Sequence, residues 1–477
     1  MTNIASLPYE LVSERAAELR DFGCQVRECG MKGKFFFFIV LVSLWPIRAN
    51  ELSGGSHSVS VAPTPERMES AALEKSLAKL PRRRYSRENQ GILVESLDGS
   101  KILAEFNADV TFNPASVMKL ATSFAALAHF GPDYRFQTSV YGDSELDAKR
   151  KSLSGSLYVQ SQGNPVFGRK EAAALSRSLI RRGLRSVEGD LVVIGPLSLD
   201  DRYTGLKSAE QLRRALTRSG IAIKGKTLQL ADFPGLDSKV LYLKHTSDRL
   251  RDILWEQNAH SINEIAERLG DLLGGSLVVQ QFLIENCGLE SQEIHVDRPS
   301  GLDYNRMTAR AAVKMIRALY FWLNDHDMKL QDIMPVAGLD EGTLYGRFRD
   351  PDFRGGVVGK TGTNPSKDGG VSALAGLAYT RDHGPVLYAI LNSRGSVNAY
   401  RRWQDHFLKA FIEESGGLGE YLPAHEDADG VASAWMPSEY WGSLAQAPER
   451  RAAVRKAKST STRKYGRTRR STSRSRT

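Results

Sequence analysis

Ser116 and Lys119 stand three residues apart in the stretch NPASVMKLATSFAAL, residues 113–127. Positions i and i+3 of a helix share a face, so this spacing aims a hydroxyl and an amine the same way. A serine hydroxyl is a poor nucleophile until a base takes its proton, and an amine kept out of water can be that base. Two plainer readings compete. Serine is favoured at helix starts, and Asn-Pro marks a turn just ahead of it. A lysine stem can also lie along an apolar face with its charge in water. A second Ser-x-x-Lys, Ser76 with Lys79, shows how easily the spacing recurs. Two further clusters add weight: Ser261-Ile262-Asn263, where a helix is expected to open, and Lys360-Thr361-Gly362-Thr363, at the end of an apolar run. Taken singly, the first is a helix cap and the second a polar strand end.

The elements that must position these residues can be read from pattern. In QGILVESLDGSKILAEFNAD two apolar runs flank Asp98-Gly99, a hairpin signal, and the Ser116 helix follows at once. The segment MESAALEKSLAKL reads as an amphipathic helix with Ser76 and Lys79 on its surface. Residues 131–237 change texture: RFQTSVYG, GSLYVQSQ and GDLVVIG are short strands, with a helix over 169–183, and together they predict a small α+β insertion. Helices are expected over 248–257, 261–273 and 308–323. Then GGVVGKTGT, GGVSALAGLAYT and PVLYAILNS predict antiparallel strands, closed by a last helix near 400–412.

Composition bounds the rest. The chain has 477 residues and a net charge of +10. Residues 450–477 hold twelve Lys and Arg and no acid, so the remainder carries about −2. That tail lacks the apolar residues needed to order it, and its charge would suit anionic envelope polymers or lipid headgroups. A specific nucleic-acid partner is not supported by a body so near neutral. Residues 31–49, MKGKFFFFIVLVSLWPIRA, have the charged start and short apolar run of an export signal, which places the mature chain in the periplasm or cell envelope. An uncleaved anchor is the alternative. Residues 1–30 read as an extension from a start codon assigned too early. Beyond them Cys287 is the only cysteine, so no disulfide framework is expected. The histidines follow no metal-ligand spacing and no glycine-rich phosphate loop is present, so no metal or cofactor is expected.

Ser-x-x-Lys, Ser-x-Asn and Lys-Thr-Gly, in this order, are the motif set of serine β-lactamases and penicillin-binding proteins. With GNPVFGRKEAAAL…GDLVVIG, DRPSGLDYNRMTA, MPVAGLDEGTL and KTGT…GVSALAG, the chain from about 90 to 412 resembles the class C low-molecular-mass penicillin-binding proteins, the D-alanyl-D-alanine carboxypeptidase/endopeptidase group. The resemblance implies an α/β (α+β) fold: a transpeptidase-like domain, an antiparallel sheet flanked by helices, interrupted by a small inserted α+β domain. The expected divisions are 50–90 linker and helix, 91–130 first part of the main domain, 131–237 insert, 238–415 second part, and 416–477 a C-terminal extension with the basic tail.

The resemblance also implies roles. Ser116 would be acylated by peptidoglycan stem peptides and by β-lactams, which act as inhibitors. Lys119 would be its base, and Ser261 would relay a proton to the leaving amine. Asn263 would hold the substrate amide and Lys119. Lys360, Thr361 and Thr363, with Gly362 between them, would bind the terminal carboxylate. The backbone N–H groups of Ser116 and Thr363 would hold the oxyanion. Departures are visible: Asn164 stands where the group usually has an acid, Asp303 where it often has serine, and NPSKDGG (364–370) adds a loop beside the Lys360 strand. A secreted β-lactamase would share the three motifs, but no Glu-x-x-x-Asn deacylation loop lies between Asn263 and Lys360. A non-catalytic wall-binding protein with a relic site is a third reading, and the intact motifs argue against it.

Overall fold

The computed structural model describes residues 64–80, 86–200 and 205–419. The expected N-terminal extension, the expected export signal, most of the expected linker and the basic tail lie outside these residues. Among the described residues no helix is long and apolar enough to cross a membrane.

The main sheet has six strands in the order Glu66–Arg67, Lys101–Phe106, Gln90–Ser96, Gly384–Asn392, Val371–Thr380 and Val357–Asn364. All neighbours are antiparallel except the first pair. The Asp98-Gly99 turn closes its hairpin as expected: Gly99 takes φ 77°, and the Asp98 carboxylate accepts from Ser96 Oγ (2.6 Å) and Ser100 N–H (3.0 Å). The central strands read as continuous apolar runs because both faces are covered. Leu374, Val386, Tyr388 and Ile390 pack against the last helix, Val397–Glu414, and against the N-terminal helix Ala71–Ala78. Ala375, Leu377, Leu387 and Ala389 belong to a second core with helices Lys119–Phe130 and Ala309–Asn324. Each large side chain buried there contributes about 1.5–3 kcal/mol.

Three expectations need correction. Ser76 is not on a surface: it is fully buried under the last helix, where its carbonyl accepts from the Trp403 indole N–H (2.8 Å), while Lys79 is exposed. The amphipathic stripe of that short helix is narrow, and Ser76 lies inside it. Ser261 does not open a helix. It ends Leu250–His260 as a left-handed cap (φ 57°, ψ 45°), and the next helix, Asn263–Leu272, starts two residues later. A further helix, Ser276–Cys287, follows, which the sequence reading lacked.

Between Gly131 and Thr246 the chain builds a separate layer. Five strands run in the order Thr227–Leu230, Leu191–Ile194, Leu157–Ser161, Gln137–Gly142 and Val240–Thr246. The first three are mutually parallel. Parallel neighbours need crossover connections, here supplied by helices Arg169–Arg181 and Leu206–Arg218. Their apolar faces, with Leu175, Leu179, Leu212 and Leu216, share a core with Val159 and Val193.

Candidate active site

The Ser116 turn is tightly held before the helix begins. Asn113 accepts from Ala115 N–H (2.9 Å) through Oδ1 and donates through Nδ2 to the Asp303 carbonyl (2.9 Å). Ala115 is forced to φ 45°, and a single 3₁₀ turn, Ala115–Met118, leads into the α-helix Lys119–Phe130. A non-glycine residue at positive φ costs free energy and persists only where its surroundings impose it. Gly301, at φ 85°, is one such surrounding: a Cβ there would sit 1.9 Å from the Ala115 carbonyl oxygen.

Lys119 is fully buried. Its Nζ contacts Ser116 Oγ (3.0 Å), Asn263 Oδ1 (2.7 Å) and the Ser300 carbonyl (2.7 Å). Burial lowers its pKa to about 7, against the pull of the Glu267 and Glu264 charges. Glu267 also accepts from Ser300 N–H (3.2 Å) and Arg298 Nε (3.0 Å), which fixes the carbonyl that holds the amine.

Lys360 lies on the strand Val357–Asn364 and is also fully buried. Its Nζ donates to Ser261 Oγ (3.0 Å) and to the Thr361 carbonyl (2.8 Å). Burial, and then the charge of Lys119, hold its pKa well below the usual lysine range. Two buried amines in one site disfavour double protonation. The left-handed turn at Ser261 delivers its hydroxyl to Lys360, and Asn263, two residues on, reaches Lys119. One short segment therefore serves both lysines.

The Lys360 strand is the edge of the main sheet. Gly359 N–H points outward, donating to the Pro335 carbonyl (3.2 Å). Backbone direction repeats every second residue, so Thr361 and Thr363 N–H face the same open side. Gly362 lets this strand pass the Ser116 turn, since a Cβ would lie 2.3 Å from the Pro114 carbonyl oxygen. Thr361 Oγ1 bonds to Thr343 Oγ1 (2.8 Å), and Thr363 Oγ1 accepts from Arg401 Nη2 (2.8 Å).

Residues 69–202 and 195–408 match the D-Ala-D-Ala carboxypeptidase 3 (S13) family. The chain belongs to this family. Among S13 relatives it is 26% identical over 105 residues to D-alanyl-D-alanine carboxypeptidase DacB of Haemophilus influenzae, an alignment covering 22% of each chain. It is 30% identical over 100 residues to a D-alanyl-D-alanine carboxypeptidase of an Actinomadura species, covering 21% of this chain and 18% of that one. These alignments span only about a fifth of the relatives' length. The fold is similar over a much longer stretch. Penicillin binding protein 4 (dacB) of H. influenzae superposes with a TM-score of 0.57 at 19% identity, over 72% of this chain and 98% of that one. A predatory endopeptidase of Bdellovibrio bacteriovorus, solved with its immunity protein, gives 0.59 at 20% identity, over 70% and 95%. A penicillin G-acylated endopeptidase from the same organism gives 0.57 at 20%, over 70% and 96%.

The structure brings all eight residues singled out from sequence together, around the Ser116 turn, the Ser261 cap and the edge strand. Sequence reasoning missed three contributors. Ser300 acts through its carbonyl, which no side-chain pattern reveals. Thr343 lies in the MPVAGLDEGTL block, to which no role was given, and Arg401 sits in a segment with no motif of its own. The noted departures Asp303 and the 364–370 loop meet each other: Lys367 pairs with Asp303 (3.3 Å) and lies 4.1 Å from the centre of the Tyr304 ring, and Arg306 pairs with Asp368 (3.1 Å). Asn164 is buried, where its Oδ1 accepts from Val166 N–H (3.1 Å).

Proposed function

We propose that the protein is a serine-type D-Ala-D-Ala carboxypeptidase and/or DD-endopeptidase that acts on peptidoglycan stem peptides through an acyl-enzyme. The observation that carries this reading is the Lys119 amine, buried and held by Ser116 Oγ, Asn263 Oδ1 and the Ser300 carbonyl at 2.7–3.0 Å. Asn263 Oδ1 and the carbonyl have no hydrogen to give. A neutral amine donates its two N–H bonds to them and turns its lone pair to Ser116. Ser116 Oγ then attacks the carbonyl carbon of the penultimate D-Ala while its proton passes to Lys119 Nζ. The developing oxyanion is held by the N–H groups of Ser116 and Thr363. The proton taken by Lys119 is handed on through Ser261, which Lys360 Nζ holds in place, to the departing amine, so that Lys119 is neutral again as the C–N bond breaks. Water attacks the ester with Lys119 again taking the proton, and Ser116 leaves protonated. Thr361 and Thr363 bind the carboxylate of the leaving residue through charge-assisted hydrogen bonds.

A β-lactam presents the same carbonyl and carboxylate, but its amine stays tethered after ring opening, so acylation by penicillin belongs to this reading. The export signal at 31–49 and the extracytoplasmic site of peptidoglycan support work in the periplasm or cell envelope. Digestion of purified muropeptides, with products separated and weighed, tests the proposal. Loss of a terminal alanine, or splitting of cross-linked dimers at the D-Ala bond, is expected and tells the two activities apart. Unchanged muropeptides, with rapid turnover of penicillin, would instead support the β-lactamase reading.

A further inference from the structure

The Lys360 cluster was expected to supply the cation that reads the substrate's carboxylate, yet the geometry gives Lys360 other work. It follows Val358 in strand parity, so its side chain leaves the sheet on the Ser116 side, the face opposite to Thr361 and Thr363. Its amine is fully buried and bonded to Ser261 Oγ and to the Thr361 carbonyl. On the threonine face the cation is Arg401, in the last helix. Its Nη2 donates to Thr363 Oγ1 (2.8 Å).

Arg401 is firmly placed. Arg347 Nη2 donates to its carbonyl (3.3 Å), and Tyr400 OH, next in sequence, donates to the Ser393 carbonyl (2.7 Å). Gln404, one turn on, donates to Asn392 Oδ1 (2.7 Å). These bonds tie the helix start to the strand Gly384–Asn392 and the turn after it. The nearest acid in the helix, Asp405, is taken by Arg347 Nε (2.7 Å). Among the described residues no carboxylate pairs with Arg401. The half-buried guanidinium has five donors, of which the Thr363 hydroxyl takes one, so its fork keeps donors for a ligand. Its planar fork fits a carboxylate bidentately, which an ammonium cannot do.

We propose that Arg401 binds the carboxylate of the residue that leaves, alongside the Thr361 and Thr363 hydroxyls, and that it sets the preference for free acids over amidated ends. This rests on the DD-peptidase reading and adds to it the group that distinguishes substrates. Lys360 then serves Ser261 and the proton path.

The test compares a peptide ending in D-Ala-D-Ala with the same peptide amidated at its C-terminus, using wild type, Arg401→Gln and Arg401→Lys. The expected result for Arg401→Gln is a loss of about tenfold or more in kcat/KM for the acid, carried mainly by KM, with the amide within about twofold of wild type. Arg401→Lys keeps the charge without the fork and should fall between, and it serves if the Gln variant does not fold. Benzylpenicillin and its methyl ester should show the same pattern in acylation rate. Equal losses for acid and amide would mean that Arg401 only props Thr363, and would overturn the proposal, as would no loss at all. If wild type leaves every ligand unreacted, the DD-peptidase reading fails instead. Calorimetric binding of the acid and the amide to wild type and Arg401→Gln then decides the Arg401 assignment separately.

Discussion

Lys119 joins two properties that seldom coincide, complete burial and three oxygen partners, and its chemistry follows from their balance. Burial removes the charge, while Glu267 and Glu264 restore part of it, leaving a pKa of about 7. Because the neutral amine is the base, acylation should be slow below this value, rise through it and level off above. Glu267→Gln removes one of the charges that hold the pKa up, so the rising limb should move to lower pH. Rates of acylation by a fluorescent penicillin from about pH 5 to 9 would check both, the window bracketing that pKa. A rate that falls as pH rises through 7 would mean that the charged amine is the active form. At this scale the sequence was informative where a side chain acts through its own functional group: Ser116, Lys119, Asn263 and the Lys360 cluster could all be named. Ser300 could not, because it contributes a backbone carbonyl, and Arg401 could not, because one arginine among many carries no spacing signal.

At the level of elements, the site depends on backbone segments that approach more closely than side chains would permit. Gly301 shows the cost of interfering: a Cβ would meet the Ala115 carbonyl oxygen at 1.9 Å and Ser116 N at 3.0 Å, at φ 85°. Gly301→Ala should destabilise the fold by more than about 1 kcal/mol and also cut penicillin acylation by more than roughly tenfold, because the Ser116 turn must shift. Gly183 is the matching control. It has φ 100° with nothing within 4 Å, so Gly183→Ala should cost only about 1 kcal/mol and leave acylation unchanged. Thermal unfolding with acylation rates on the two variants separates the effects, and equal acylation rates would refute the close-packing account. The Asp98-Gly99 hairpin and the three late strands were legible because their turns and apolar runs are local signals. The left-handed Ser261 cap was not. Serine rarely takes that conformation, and nothing in Ser-Ile-Asn tells a helix end from a helix start.

Across the whole molecule, the expected architecture of a helix-flanked antiparallel sheet with a small α+β layer is the one observed, but the inner order of that layer was hidden. The strands of its five-stranded sheet are only four to seven residues long, and their parallel pairing depends on the crossover helices, of which Leu206–Arg218 went unread. Its buried stripe of Ala209, Leu212 and Leu216 does repeat at helical spacing on an otherwise polar helix, so the signal for this helix was present in the sequence and only its long-range pairing role was not. Long-range placement was equally out of reach: the Ser116 turn, the Ser261 cap, the edge strand and the last helix are distant in sequence and meet only because the sheet is sandwiched between two helical layers. The central claim is that this meeting makes Ser116 an acylated nucleophile. It is tested most directly by incubating the protein with penicillin, digesting it and locating the adduct by mass spectrometry. The account predicts a single penicilloyl ester on Ser116, absent from Ser116→Ala. An adduct on any other residue, or labelling that survives in Ser116→Ala, would contradict it.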